Sequence, residues 1–295
     1  MEPVQVIRPD LVLVDWGPMT LTISAWQGGQ ARPVMAAQAA RAALRCLKVL
    51  AEFQGYMRRR MNDLPAGRPL PMVVERATQA CRAVDVELTP LAAVAGAVAD
   101  EVADFALGLG ADRVVVNNGG DIAVRLSPGQ SLRVGVKPPE REEGEASPIM
   151  GRLNLRGGDG IGGVASSGWQ GRSHSSGVAD LVTVWAESAA LADAAATALG
   201  NAAQAQGPEL ESAPAREIDP DSGLGDQRIT TKVGPMPREQ RLAALRGARE
   251  AAHRLHGQGL ITGCLVLVQG EALLLDQGHR ITLAGPAASA KLLAA

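Results

Sequence analysis

Asp193 and Thr197 lie four residues apart in the alanine-rich stretch SAALADAAATALGNA, so a carboxylate and a hydroxyl share one face of a predicted helix. A hard cation such as Mg²⁺ takes oxygen ligands, commonly one or two from side chains, with phosphates and water completing the shell. The pair also has a structural reading, in which Thr197 bonds back to a helix carbonyl and Asp193 stays outside the core, in solvent or near the positive helix start. Upstream, VVVNNGGDIAV (114–124) breaks a strand at Asn118, Gly119 and Gly120, where bare backbone lets a ligand approach closely. Asp121 follows directly and could accept hydrogen bonds from ribose hydroxyls, or stabilise a tight Asn-Gly hairpin with no ligand. Between these two pieces runs GGVASSGWQGRSHSSG (162–177). Its backbone amides, Ser166, Ser167, Gly168 and Arg172 are available to an anion, and His174 suits a general acid/base or a phosphate ligand; an open surface loop is the other reading. Taken together, these residue types fit a phosphate-bearing ligand with a hard metal ion.

Those residues need elements to hold them. LVLVDW and TLTISAW (11–26) read as strands around a Gly17-Pro18 turn, and apolar periodicity predicts a long helix over 35–61. A shorter helix is expected at 72–84, and a third runs to Leu109 with Thr89 as N-cap, Pro90 in its first turn and Gly110 as its stop. Strands follow on either side of NNGG, at LRVGVK, RLNLR, GIGGVA and VADLVTVWA, the last leading into the Asp193 helix. PPEREEGEASP reads as an exposed loop, and 207–237 as polar and turn-rich. A helix over 238–256 and closing strands within 260–283 complete the chain. Interleaved helices, strands and hairpins give an α/β class with an α+β tendency, a mixed sheet and flanking helices. No clean linker appears, so residues 1–295 are expected to form a single compound domain.

With 295 residues, 46% hydrophobic and 20% charged, the chain is globular, and with 2% aromatics its core must be built from Ala, Val and Leu. A net charge of −2 and few rings for base stacking argue against nucleic acid as partner. The dense basic run Arg58, Arg59 and Arg60 reads as the cationic close of an apolar helix. Cys46, Cys81 and Cys264 are scattered, odd in number and without CxxC spacing, which points to reduced thiols. His253 and His256 sit near a helix C-terminus, and Ser166 and Ser167 lack the G-x-S-x-G context of a serine hydrolase. Neither a signal peptide nor a membrane-length apolar run is visible, so a cytoplasmic location without a membrane partner is expected.

In order, NNGGDI, VASSG with a following Arg and His, a VTV strand and ADAAATALGNA resemble the ApbE-like superfamily. Its best-known members are the FAD:protein FMN transferases, with a GGDI-type turn, an A-T-S-G segment, a VTV strand and a D-A-x-A-T helix. The SGWQGRSHSSG form of the loop looks more like a cytoplasmic branch of that superfamily. The core motifs span about 88–203. The resemblance implies a nucleotide ligand, FAD, with its pyrophosphate over Mg²⁺. Asp193 and Thr197 match the metal-binding pair, Asn118 to Asp121 the turn at the nucleotide, and Ser166 to Gly168 the T-S-G segment. A backbone carbonyl within 94–96 would be a further metal ligand. The implied reaction is attack by a protein threonine, transferring FMN with AMP leaving. Two departures bear on it. Ala95-Gly96 stands where the family has K-G, and the family's H-x-x-D-P-x-T-G-x-P lead-in shortens to His174 and Ser175-Ser176-Gly177. A similar string, IDPDSGLG (218–225), comes after the Asp193 helix, either as an acidic turn or refilling the same space. A silent flavin or nucleotide carrier, and a different cytoplasmic enzyme using His174 and Arg172 on a small anionic substrate, are the alternatives.

Overall fold

The computed structural model describes residues 2–65, 67, 69–138, 147–171 and 174–293. The chain falls into two compact units, Met1–Ser131 with Arg156–Ala165 and Ala186–Ala194, and Leu132–Leu155 with Ser166–Trp185 and Ala195–Ala295.

In the first unit, β1 (Val4–Arg8), β2 (Leu11–Trp16), β3 (Met19–Gln27), β5 (Arg113–Asn118) and β6 (Asp121–Leu126) follow one another in an antiparallel sheet, with β4 (Gln30–Ala31) paired to β3. The first part of β9 (Gly163–Ser167) continues it, Val164 opposite Ile122 and Gly163 opposite Ala123. Alternation of buried and exposed residues in β2 and β3 sends Val12, Val14, Leu21 and Ile23 to the covered face. Helices α1 (Pro33–Glu52) and α4 (Val94–Gly108) pack on this sheet and on each other, and α3 (Met72–Val84) packs on α4 and α1. Their contact faces are largely alanine, among them Ala39, Ala43, Ala99 and Ala103, which lets backbones approach closely where aromatic rings are scarce.

Three expectations shift here. The predicted helix over 35–61 ends at Glu52, and a separate turn, α2 (Gln54–Met57), follows Phe53; Gly55, a poor helix former, lies in that turn. Arg58 to Arg60 therefore lie beyond a short turn, and Arg60 pairs with Glu87 at 3.0 Å instead of closing a long helix. Thr89 makes no side-chain cap bond; Pro90–Ala93 form a 3-10 turn, and the α-helix starts only at Val94. β1 lies outside the predicted strands.

In the second unit, β10 (Leu181–Ala186), β13 (Gly263–Val268), β14 (Glu271–Leu275) and β16 (Lys291–Leu293) are neighbours, the β14–β16 pair parallel and the others antiparallel. β10 and β13 are buried along their whole length, and α7 (Arg238–Gly257) packs on β13 and β14. β7 (Ser131–Val136), β8 (Gly151–Arg156) and β15 (Ile281–Leu283) form a three-stranded sheet, and α8 (Gly285–Ala288) precedes β16. The stretch expected as turns holds β11 (Leu210–Pro214), α6 (Ala215–Ile218) and β12 (Arg228–Val233), with β11 and β12 paired antiparallel. Its polar composition hid a solvent-facing hairpin. The loop expected around PPEREEGEASP falls mostly on residues 139–146, outside the described residues. Helix α5 (Ala189–Ala202) and strand β9 each contribute residues to both units.

Candidate functional site

Helix α4 begins with backbone N–H groups that have no partner inside the helix. The Asp193 carboxylate meets them: its Oδ2 accepts from the Gly96 N–H at 3.0 Å, and the Ala95 N–H also bonds to it. The converse holds at the start of α5, where the Ala189 and Ala190 N–H groups donate to Asp100 Oδ1 and Oδ2 at 3.1 and 2.9 Å. Each helix thus supplies the anion at the other's positive end. Gly96 makes this possible, because a Cβ there would collide with the Ala189 carbonyl, and Gly163 would collide with the same turn of α5. Arg125 balances the acids on the α4 side, bonding Asp100 at 3.1 Å and Asp104 at 2.7 Å and donating to the Gly162 carbonyl. Neither Asp100 nor Arg125 stands out in the sequence as a site residue. Asp100 is one of three acids in α4, with Glu101 and Asp104, and the one the structure leaves 0% exposed, a distinction no local pattern announces.

Asp193 is not outside the core: it is only 8% exposed, so the solvent reading of its carboxylate is corrected. Burial and then the charge of Asp121 push its carboxyl well above the usual carboxylate range, against the lowering effect of the Gly96 and Ala95 N–H groups. Among the described residues, no Lys or Arg pairs with it. Asp121 arrives on the β5–β6 hairpin. Asn118 pairs with Asp121 across a two-residue loop, Gly119 (φ 68°) and Gly120 (φ 114°), a mirror-image turn that glycine adopts without strain. Asn117 Oδ1 accepts the Gly120 N–H at 2.9 Å, and Asn118 Nδ2 donates to the Ala95 carbonyl at 3.0 Å, tying the hairpin to the start of α4. Within 94–96, then, the Ala95 and Gly96 N–H groups face Asp193, while the Ala95 carbonyl accepts from Asn118 in addition to its place in the helix ladder. Thr197 lies one turn along α5 from Asp193 and is also 8% exposed. Among the described residues, no three His, Cys, Asp or Glu gather as a metal cluster.

The second unit holds the serine-rich segment. Ser166 and Thr183 share a hydroxyl hydrogen bond at 2.9 Å, and Ser167 is buried. Gly168 has no room for a side chain against the Asp180 carbonyl. His174 lies 3.4 Å from the Asp219 carboxylate, so the downstream IDPDSGLG string does reach the histidine. Arg172 lies outside the described residues. Beyond His174, Asn201 of α5 accepts from the Ser176 N–H at 3.0 Å, and Gly177 crosses against the Gly200 carbonyl where only a hydrogen fits. Asn201 was not singled out from the sequence, and Asp219 only within the IDPDSGLG string and not as a residue, since each acts through a contact far along the chain.

A family model described as AbpE bacteria matches residues 5–274. The chain belongs to this family. Among curated relatives, the UPF0280 protein MK0206 of Methanopyrus kandleri is 37% identical over 171 residues, covering 56% of this chain and 66% of the relative. The UPF0280 protein of Methanothrix thermoacetophila is 42% identical over 143 residues, 48% of this chain and 55% of the relative. The chain thus spans less than two thirds of either relative's length. Among solved structures, the apo flavinyl transferase ApbE of Pseudomonas stutzeri aligns at 17% identity over 90% of this chain and 91% of that one, with a TM-score of 0.44. The flavin transferase ApbE of Vibrio cholerae aligns at 14% identity over 97% and 99%, with a TM-score of 0.40. No helix among the described residues is long and apolar enough to cross a membrane.

Proposed function

We propose that this protein is a Mg²⁺-dependent enzyme acting on a flavin nucleotide, FAD, and resembling the transferases that move FMN onto a protein threonine. The observation that carries the proposal is the buried Asp193 carboxylate, 8% exposed, held at the start of α4 by the Gly96 N–H with no Lys or Arg paired to it among the described residues, an arrangement that a divalent cation would complete. Membership of a family whose model spans 5–274 supports it. The side-chain donors fit a hard ion: the Asp193 carboxylate, and the Thr197 hydroxyl one turn on. When bound, Mg²⁺ neutralises charge on a pyrophosphate.

Asp193 and Thr197 would hold the ion. Gly119 and Gly120 leave backbone open to a nucleotide, and Asp121 accepts from sugar hydroxyls. Ser166, Ser167, Gly168 and Arg172 offer donors to phosphate oxygens, and His174 accepts a proton from the attacking hydroxyl. The reading takes residues 1–295 as one compound domain of a cytoplasmic protein, with a nucleotide ligand, a protein acceptor and no nucleic-acid partner.

A second reading, a carrier that binds FAD without cleaving it, is favoured by Ala95-Gly96, where the resembling enzymes place a lysine. Melting curves with FAD, with and without Mg²⁺, followed by an assay for AMP release, separate the readings. A Mg²⁺-dependent shift with AMP release supports the enzyme, and a shift without AMP supports the carrier. Absence of any shift overturns both and leaves the third option, an enzyme using His174 on another small anion.

A further inference from the structure

The second unit contains a histidine–carboxylate contact built from two distant stretches. Helix α6 ends on Asp219, whose N–H donates to the Ala215 carbonyl at 2.8 Å. Asp219 Oδ1 accepts the Asp221 N–H at 2.9 Å, and its carbonyl accepts the Ser222 hydroxyl at 2.8 Å. With the backbone and one oxygen so fixed, Oδ2 is the oxygen that reaches His174 Nε2, at 3.4 Å. His174 is fixed from the other side. The Ser175 carbonyl accepts the Thr230 N–H of β12 at 2.8 Å, and the Ser176 N–H donates to Asn201 Oδ1 of α5 at 3.0 Å. Ring and backbone are therefore held by three separate elements.

A neutral imidazole has one N–H and one lone pair, and an ionised carboxylate can only accept. Their contact selects the tautomer protonated at Nε2 and leaves the Nδ1 lone pair as the base. The side chains are 24% and 46% exposed, so a contact of this kind adds little to stability and its effect is on orientation. We infer that Asp219 is a positioning residue for His174, setting the ring so that Nδ1 faces the acceptor hydroxyl. The identity of the reaction rests on the proposed flavin-nucleotide function; the contact does not. In that reaction Nδ1 takes the hydroxyl proton as the acceptor oxygen bonds to the FMN phosphorus. The pyrophosphate P–O bond to AMP breaks, and AMP leaves with the electron pair.

The test uses the full chain and two readouts. Ring ¹⁵N–¹³C NMR at pH 8, with the His174 signal assigned through His174→Gln, should show the Nε2–H tautomer with no detectable Nδ1–H form in the wild type and in Asp219→Asn, whose side-chain oxygen still accepts. In Asp219→Ala the signal should move to the mixture of a free imidazole. With FAD and Mg²⁺, Asp219→Ala should slow AMP release at least ~10-fold, Asp219→Asn should restore part of it, and the FAD-induced melting shift should be unchanged in both. A wild-type ring that already shows the free mixture overturns the inference, as does full AMP release by Asp219→Ala once its tautomer has shifted. A wild type with the expected tautomer, but with neither melting shift nor AMP release, overturns the flavin-nucleotide function and leaves the tautomer-setting contact standing.

Discussion

At the residue scale, Asp193 carries two duties that pull apart. It is the anion at the start of α4, accepting from the Gly96 and Ala95 N–H groups, and it is also a proposed metal ligand. Asp193→Asn keeps an oxygen for the Gly96 N–H and removes the repulsion with Asp121. The variant's metal-free stability should stay within ~1 kcal/mol of the wild type or rise above it, while its FAD-induced melting shift loses its Mg²⁺ dependence. Thr197→Val should act in the same direction more mildly, since a neutral hydroxyl contributes less to a hard cation than a carboxylate does. Early unfolding of both with normal FAD binding would make the pair structural. The sign with pH follows from the raised carboxyl. The folded chain holds that proton at pH values where the unfolded chain has released it, so this group's stabilisation is full below the ordinary carboxylate range and is lost as pH rises toward the folded value. Mg²⁺ should therefore raise the melting temperature more at pH 8 than at pH 5, and not in Asp193→Asn. Equal shifts at both pH values would contradict this.

At the element scale, α4 and α5 are joined by an exchange of end charges, with Asp193 at one start and Asp100 at the other. Asp100→Ala removes the α5 anion and leaves Arg125 with Asp104 alone; loss of one partner of so buried a pair should cost about 3–5 kcal/mol in urea unfolding. Gly96→Ala forces a methyl against the Ala189 carbonyl and should cost about 1–3 kcal/mol. A near-neutral result for both would mean that the helix starts are held by something else. The elements themselves were largely legible. Apolar periodicity and Gly110 mark the end of α4, and the paired glycines mark the β5–β6 turn. The exchange of end charges was not, because Gly96 and Asp193 are 97 positions apart and no local pattern announces such a contact. Nor was the β11–β12 hairpin, whose exposed residues lack the alternation that a half-buried strand shows.

At the scale of the whole molecule, the order of small-residue motifs along 117–203 was readable, and the family match over 5–274 agrees with it. Division into two units was not, since both draw on the same central stretches of chain and no linker composition separates them. The reduced thiols give each unit its own reporter: Cys46 and Cys81 in the first, Cys264 in the second, all buried. Burial pushes Cys46 and Cys264 up to about 12 and raises Cys81 as well. At pH 8 the native protein should resist alkylation that labels all three thiols in urea, and rapid labelling of one in the native protein would show that its unit opens. The central claim concerns the ligand. Titration calorimetry of FAD into the metal-free protein and into the protein with Mg²⁺, with AMP measured in the spent cell, addresses it directly. The account predicts binding that depends on Mg²⁺, with AMP formed; FAD that binds equally well without the metal, or not at all, would contradict it.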